Sequence, residues 1–474
     1  MKKIKSPVYI FSTKPLVLFS KNMENTFMVQ SESRAALASC GVLLPEILIP
    51  AEGIDIRSWA VIACDQYTSQ PEFWDRAARI VEGKPSTLRC ILPELYLKSG
   101  KTGEAAATIK KAMTDYLADG VLRPLPPGLI LVDRSTPYHA SRRGMVLALD
   151  MECYDYTPES RSLIRPTEGT IVERLPPRIR IRRDAVIELP HIMVLIDDEQ
   201  NAVLGGLFEL ARGERPVYEG DLMMNCGHIS GRFLPSHKAQ GLLAEGLAAL
   251  QKNSSHPEIL FAMGDGNHSL AAAKAAWQEI RAPLSPVERE SHPARYALVE
   301  VVSLYDPGIE FHPIHRVLEG VHPAAFFAFL EKKPGFSLKK TASFAETESL
   351  CASAWKNEDR ETVFTIGVLA AGESALLRFP KDGAILPTAA AQKLLEEFSS
   401  AEGEEGKIDY IHGTDSLFSL CSGKTSLGLF LPALPKSKLF PIVRRDGVLP
   451  RKAFSIGEAP EKRFYLEARR IRPA

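Results

Sequence analysis

Residues Gly264-Asp265-Gly266-Asn267-His268-Ser269 place two glycines, a carboxylate, an amide, an imidazole and a hydroxyl in six consecutive positions. They follow a short apolar run, Ile259 to Met263, and precede an Ala-rich segment in which Leu270, Ala273, Trp277 and Ile280 recur at helical spacing. A strand, a glycine turn and a helix start together point unpaired backbone N–H groups and the positive end of a helix dipole at an anion. Glycine lets the backbone approach that anion and take positive φ. Asn267 and His268 add side-chain donors, and Ser269 is placed to cap the helix. The chemistry on offer is phosphate binding. The same residues also describe a tight turn with an Asn or Ser cap that binds nothing.

Other segments carry chemistry of their own. Arg165-Pro166-Thr167-Glu168-Gly169-Thr170 sets a carboxylate beside two hydroxyls and an arginine. Such a set can hold a metal–phosphate or orient a hydroxyl nucleophile, with Glu168 as general base; the plainer reading is a glycine turn with a Glu–Arg pair. Asp65 stands at a strand end, where catalytic loops often begin, and it also suits an Asx turn. His312-Pro313-Ile314-His315-Arg316 has no third ligand at metal-site spacing, and its proline opposes a ligating helix face. Asp197-Asp198-Glu199 reads as a solvated hairpin turn, with Mg²⁺ binding as the alternative. Gly423-Lys424-Thr425 resembles the end of a P-loop, but Phe418 occupies the position where that loop needs glycine, so we reject it.

Composition bounds these readings. The 474 residues contain 58 Lys+Arg and 58 Asp+Glu, so no global basic surplus supports nucleic acid as a partner. Five arginines lie between Arg174 and Arg183, where Ile-Arg alternation reads as a strand with one basic face. Seven cysteines are dispersed without a C-x-x-C pair, as in a chain of reduced thiols, and no apolar run has membrane-helix length. Lys14 and Pro15 interrupt what would otherwise imitate a signal peptide, and the residues before Cys40 are too polar for a lipoprotein leader. A cytoplasmic protein is expected, with translation starting at Met23 or Met28.

The elements that must position these residues alternate between helix and strand, which favours α/β or α+β. Helices are expected around Phe73–Glu82, Gly103–Ala118, Ala239–Leu250, Ala324–Lys332 and Thr388–Glu402. Strands are expected near Leu88–Leu97, Leu129–Asp133, Met145–Met151, Ile179–Ile181, Ile192–Ile196, Val203–Leu210, Ala297–Leu304 and Leu427–Leu431. Residues 364–379 read as a hairpin. The organisation expected is an extension at 1–40, an α/β core at 41–320, a peripheral α+β subdomain at 321–405, and a segment at 406–474 packing back on the core.

The turn GDGNHSLAAAK is similar to the DGHHR-type motif of the domain-of-unknown-function 1015 family. More remotely it resembles the phosphate-binding turn of the ParB/sulfiredoxin superfamily, which includes nucleotide-dependent free-serine kinases. Residues 62–74, 165–182, 188–199, 306–316 and 449–470 resemble the same family in the same order, from about residue 41 to the C-terminus. The resemblance implies a mixed-sheet ParB/sulfiredoxin-like core with additional subdomains. It implies a phosphate or nucleotide site built from Gly264 to Ser269 with Arg165, Thr167, His315 and Arg316, and catalysis by Glu168, Asp65 and His268. The implied ligand is a small molecule, with Mg²⁺ accompanying a nucleotide. The activity implied is a phosphate- or nucleotide-handling enzyme acting on a small metabolite, with free serine as first candidate. A non-catalytic nucleotide-binding module is the alternative. One departure stands out: where the superfamily turn carries arginine after the histidine, this chain has Ser269.

Overall fold

The computed structural model describes residues 30–99, 102–356, 362–384, 386–402, 407–423, 425–450 and 452–473. The expected starts at Met23 and Met28, and Lys424 of the rejected P-loop, lie outside them. The architecture is mixed α/β. Eight strands of the larger sheet run in the order Pro216–Asp221, His228–Pro235, Gly128–Ser135, Arg142–Asp150, Tyr296–Ser303, Met193–Ile196, Phe261–Asp265, Ile164–Arg165. Val42–Leu43 adds beside Arg142–Asp150. Pairing is antiparallel except between Tyr296–Ser303 and Met193–Ile196, and between Phe261–Asp265 and Ile164–Arg165.

Both faces of this sheet are covered, and period-two alternation decides which side chain goes where. Leu129 and Leu131 face a cluster shared with Leu204, Leu243, Leu270 and Trp277. Ile130 and Val132 face the opposite cluster, with Trp59, Trp74 and Tyr465. Residues 30–39, inside the expected extension, form a helix, and Leu37 and Cys40 are buried in the first cluster.

A second sheet runs Ser337–Lys340, Glu373–Pro380, Val363–Ala370, Ser426–Phe430, Phe311–Glu319, Lys407–His412. The strand Phe311–Glu319, which the expected boundary at 320 leaves with the core, belongs to this sheet. Its first residues also pair with Phe454–Ile456. From there the chain returns to the larger body: Phe464–Tyr465 pairs with Val61–Ile62, and Arg469–Arg470 with Ile187–Glu188.

Three expected strands are not strands. The basic stretch forms the helix Leu175–Asp184, because Pro176 and Pro177 occupy its first turn, where fixed φ favours a helix start. Its Arg178 and Arg182 then share a face, pairing with Glu94 at 2.8 Å and with buried Glu188 at 2.5 Å. Val203–Leu210 falls within the helix Ala202–Leu210, whose Val203, Leu204 and Leu207 are buried at helical spacing. Both oxygens of Asp198 accept N–H groups at that helix start, from Ala202 at 2.8 Å and Val203 at 2.9 Å. Asp197-Asp198-Glu199 is therefore a turn that caps a helix, not a hairpin turn. Leu88–Leu97 is two 3-10 turns, Thr87–Cys90 and Glu94–Ser99, separated around Pro93. No helix among the described residues is long and apolar enough to cross a membrane.

Candidate functional site

The strand Phe261–Asp265 leads into the helix Asn267–Arg281 through Gly266, which takes φ +79°. A side chain at Gly266 would meet the Ile192 Cα at 3.1 Å, so glycine is required for space as well as conformation. The cap residue is Gly266, and Ser269 is the third residue of the helix, a correction to its expected capping role. Asn267 and His268 occupy the first two helical positions, whose N–H groups have no helical carbonyl to bond. They open on a cavity of about 1130 Å³, lined by the whole Gly264–Ser269 turn.

His268 meets this cavity as a neutral ring. Burial, with Arg178 and Arg174 nearby, lowers its pKa to about 4. Its Nε2 accepts from the Ile171 N–H at 3.3 Å, so Nδ1 carries the proton. Asp265 turns one oxygen to the Gly266 N–H at 2.8 Å and lies 3.2 Å from Lys462 Nζ. Burial alone would raise its carboxyl, but Lys462 and His191 outweigh that and hold it below the usual range. Glu168 is the opposite case: burial raises its pKa despite Lys452. A half-buried carboxylate of raised basicity facing a cavity can take a proton from a hydroxyl.

The far wall is a strap at residues 452–462, contributing Lys452 and Lys462. It is held from beneath by buried arginines. Arg134 donates to the carbonyls of Pro460 at 2.6 Å, Glu461 at 3.0 Å and Lys462 at 2.6 Å. Arg142 adds a bond to Glu461 at 2.8 Å, and Arg463 pairs with Glu300 at 2.9 Å. Arg174, Arg178 and His191 also line the cavity, as do Asp65 and Glu94. Asp65 Oδ2 stands 3.9 Å from His191 Nε2, and the Tyr465 hydroxyl fixes His191 Nδ1 at 2.8 Å. The cavity thus lies where the two sheets meet, since Ile314 and His412 of the second sheet complete its lining.

The structure brings together Asp65, Thr167, Glu168 and the residues Gly264 to Ser269. Thr167 Oγ1 is already committed, donating to the Met263 carbonyl at 2.8 Å. Arg165, His315 and Arg316 do not line the cavity, and all three are buried. Arg165 donates to the carbonyls of Ser162 at 2.9 Å and Glu258 at 3.4 Å, because its short strand sits at the sheet edge under that loop. His315 faces into the second sheet, its ring 5.0 Å from Phe430, with Nδ1 accepting from the Leu431 N–H at 3.1 Å. Burial pushes its pKa to about 4, so it is a neutral packing histidine. Arg316 reaches Gln392 Oε1 at 3.0 Å and the Lys452 carbonyl at 3.0 Å.

Sequence reasoning missed Lys452, Lys462, His191, Arg174 and Arg178. The signal for Arg174 and Arg178 was their four-residue spacing across a diproline that starts a helix. Lys452 and Lys462 stood within the quoted segment 449–470 with nothing local to mark them. Among the described residues no three His, Cys, Asp or Glu side chains converge as a metal site. Mg²⁺ can instead be held by one or two carboxylates together with ligand phosphates, and the cavity carboxylates suffice for that.

Fold and site define a mixed-sheet α/β protein with a strand–glycine–helix turn lining a large cleft. A family model described as a protein of unknown function, DUF1015, matches residues 48–398, and the chain belongs to that family. No curated protein matches. Among solved structures, the chain is similar to a free serine kinase in complex with AMP, at 12% identity and TM-score 0.35, covering 69% of this chain and 91% of that one. It is similar to a conserved hypothetical protein from Pyrococcus furiosus, at 10% identity and TM-score 0.32, covering 69% and 95%. It is also similar to SbnI with a C-terminal truncation from Staphylococcus aureus, at 9% identity and TM-score 0.32, covering 66% and 82%. Likenesses this distant assign no residue a role.

Proposed function

We propose that this protein binds nucleotide phosphates on the Gly264–Ser269 turn and transfers a phosphoryl group to the hydroxyl of a small metabolite. The observation that carries the reading is convergence: a helix start, two strap lysines and the half-buried carboxylate Glu168 line one cavity. The helix N–H groups of Asn267 and His268 face the phosphates, and Lys452 and Lys462 offset the charge that a neutral His268 leaves uncompensated. Glu168 accepts the proton of the attacking hydroxyl as its oxygen bonds the terminal phosphorus, and the bond to the bridging oxygen of the leaving nucleotide breaks. Asp65, steadied beside His191, orients the acceptor. A divalent cation arriving with the nucleotide would neutralise phosphate charge. Phosphoryl transfer asks a protein mainly for such positioning and charge stabilisation, and a cleft of this size admits nucleotide and acceptor together.

Free serine is the first acceptor to test. Thermal-shift measurements with ADP, AMP and ATP in Mg²⁺ should show stabilisation, and ATP with serine should yield phosphoserine. Stabilisation without turnover of any hydroxyl substrate would make the protein a nucleotide-binding regulatory module. No stabilisation by any nucleotide or phosphoserine would remove the reading altogether.

A further inference from the structure

Arg316 is among the largest fully buried side chains of the second sheet, yet its guanidinium reaches the strap that walls the cavity. One terminal nitrogen donates to the Lys452 carbonyl at 3.0 Å, while the other donates to the Ile314 carbonyl at 2.7 Å. Nε is fixed by Gln392 at 3.0 Å, and the guanidinium lies over the Tyr410 ring at 4.5 Å. The guanidinium is thus held from the sheet, from the helix that carries Gln392 and from the strap at once.

Lys452 is backbone-strained, with φ +55°, a conformation that side chains other than glycine, Asn and Asp rarely adopt. Strain of this kind persists where neighbours over-determine it, and it concentrates at functional sites. Here the neighbour is Arg316, whose guanidinium holds the Lys452 carbonyl from inside the second sheet. The chain just before the strap is tied to the Glu168 segment through a parallel bridge between Glu168 and Leu449 and a 2.8 Å bond from the Leu449 N–H to the Thr167 carbonyl.

We infer that Arg316 is a positioning residue: it pins Lys452 in its left-handed conformation and so keeps the Lys452 ammonium on the cavity wall. The second sheet is then part of the site without lending it a contacting cation. This deepens the phosphate reading above, but the geometric half stands without any ligand.

Hydrogen–deuterium exchange on the full chain tests that half. In Arg316→Met, exchange should accelerate in the strap at residues 452–457 while Val363–Ala370 and Ser426–Phe430 stay protected. Faster exchange throughout the second sheet would mark Arg316 as ordinary packing and overturn the inference, as would an unchanged strap. A binding cycle with ADP and Mg²⁺ tests the other half. Arg316→Met should weaken ADP about tenfold, the scale of one bond to a charged group. Lys452→Gly accepts positive φ freely and lacks the ammonium. If Arg316 acts through Lys452, the double variant should bind within about twofold of Lys452→Gly alone. Additive losses would overturn the inference. Should wild type itself bind no ADP, the phosphate reading fails while the exchange comparison still decides the role of Arg316. Should Arg316→Met not fold, Arg316→Lys, which keeps the charge and loses the fork, gives the same two readouts.

Discussion

The two walls of the cavity are built on opposite plans. The turn wall is local: six consecutive residues set a bulge, a left-handed glycine and a helix start, and the geometry follows from short-range rules. The strap wall is assembled at long range, its lysines held by Arg134 and Arg142 from one sheet and Arg316 from the other. The turn supplies shape and oriented N–H groups but no cation, because His268 is neutral and its one charged residue, Asp265, is an anion paired with Lys462 of the strap. The strap supplies the charge. Under the proposed reading, anion recognition divides between a motif that can be read and a framework that must be folded.

The sharpest way to break the turn wall is Gly266→Val. Positive φ and the 3.1 Å approach to Ile192 make a β-branched side chain doubly unfavourable. We expect a loss of about 2–4 kcal/mol by chemical denaturation, together with loss of nucleotide binding. A variant of wild-type stability would show that the turn is less constrained than described. On the strap, Lys462→Ala should weaken ADP by about 1.5–3 kcal/mol by calorimetry. It also frees Asp265, whose carboxyl should then titrate at higher pH. Because the folded carboxyl of Asp265 is depressed, its stabilisation is present above the ordinary carboxylate range and lost on acidification through it. Lys462→Ala should flatten that acid limb.

His268→Ala should cost ligand binding about 1–3 kcal/mol. With a folded pKa of about 4 against 6.5, the folded ring resists protonation, so its contribution is full above pH 6.5 and declines from there towards pH 4. Denaturation series for wild type and His268→Ala should therefore differ in slope between about pH 4 and 6.5 and run parallel outside that window. Parallel curves throughout would contradict the buried neutral ring. The smallest expected effect sharpens the division of labour. Ser269→Arg puts on the turn the cation that the superfamily pattern carries there, and phosphate affinity should rise severalfold by thermal shift or calorimetry. No gain would mean that the strap already saturates the need for charge.

The same division explains what the sequence disclosed. The Ile259–Trp277 unit was legible because its pattern is complete within one strand, turn and helix. So was the 364–379 hairpin, whose apolar runs frame a glycine turn. Arg165, His315 and Arg316 were misread as ligand contacts because burial by distant segments is invisible in a local window. The arginine-rich stretch was misread because a five-residue alternation fits strand and helix alike, while the diproline ahead of it decided the matter. Lys452 and Lys462 carry no local mark at all. What selects them is the path of the chain through two sheets.

That path has a consequence for synthesis. A ribosome delivers the turn long before it delivers the strap, and the return of Phe464–Tyr465 to Val61–Ile62 joins residues from nearly opposite ends of the described chain. Contacts of such sequence separation form slowly and late. During translation the nascent protein therefore carries the Gly264–Ser269 turn facing an unfinished, unwalled groove, with the apolar face around Trp59 still waiting for Phe464 and Tyr465. Chaperone engagement would concentrate in that interval, and a message truncated before codon 452 would yield a chain that chaperones and proteases recognise by its open core.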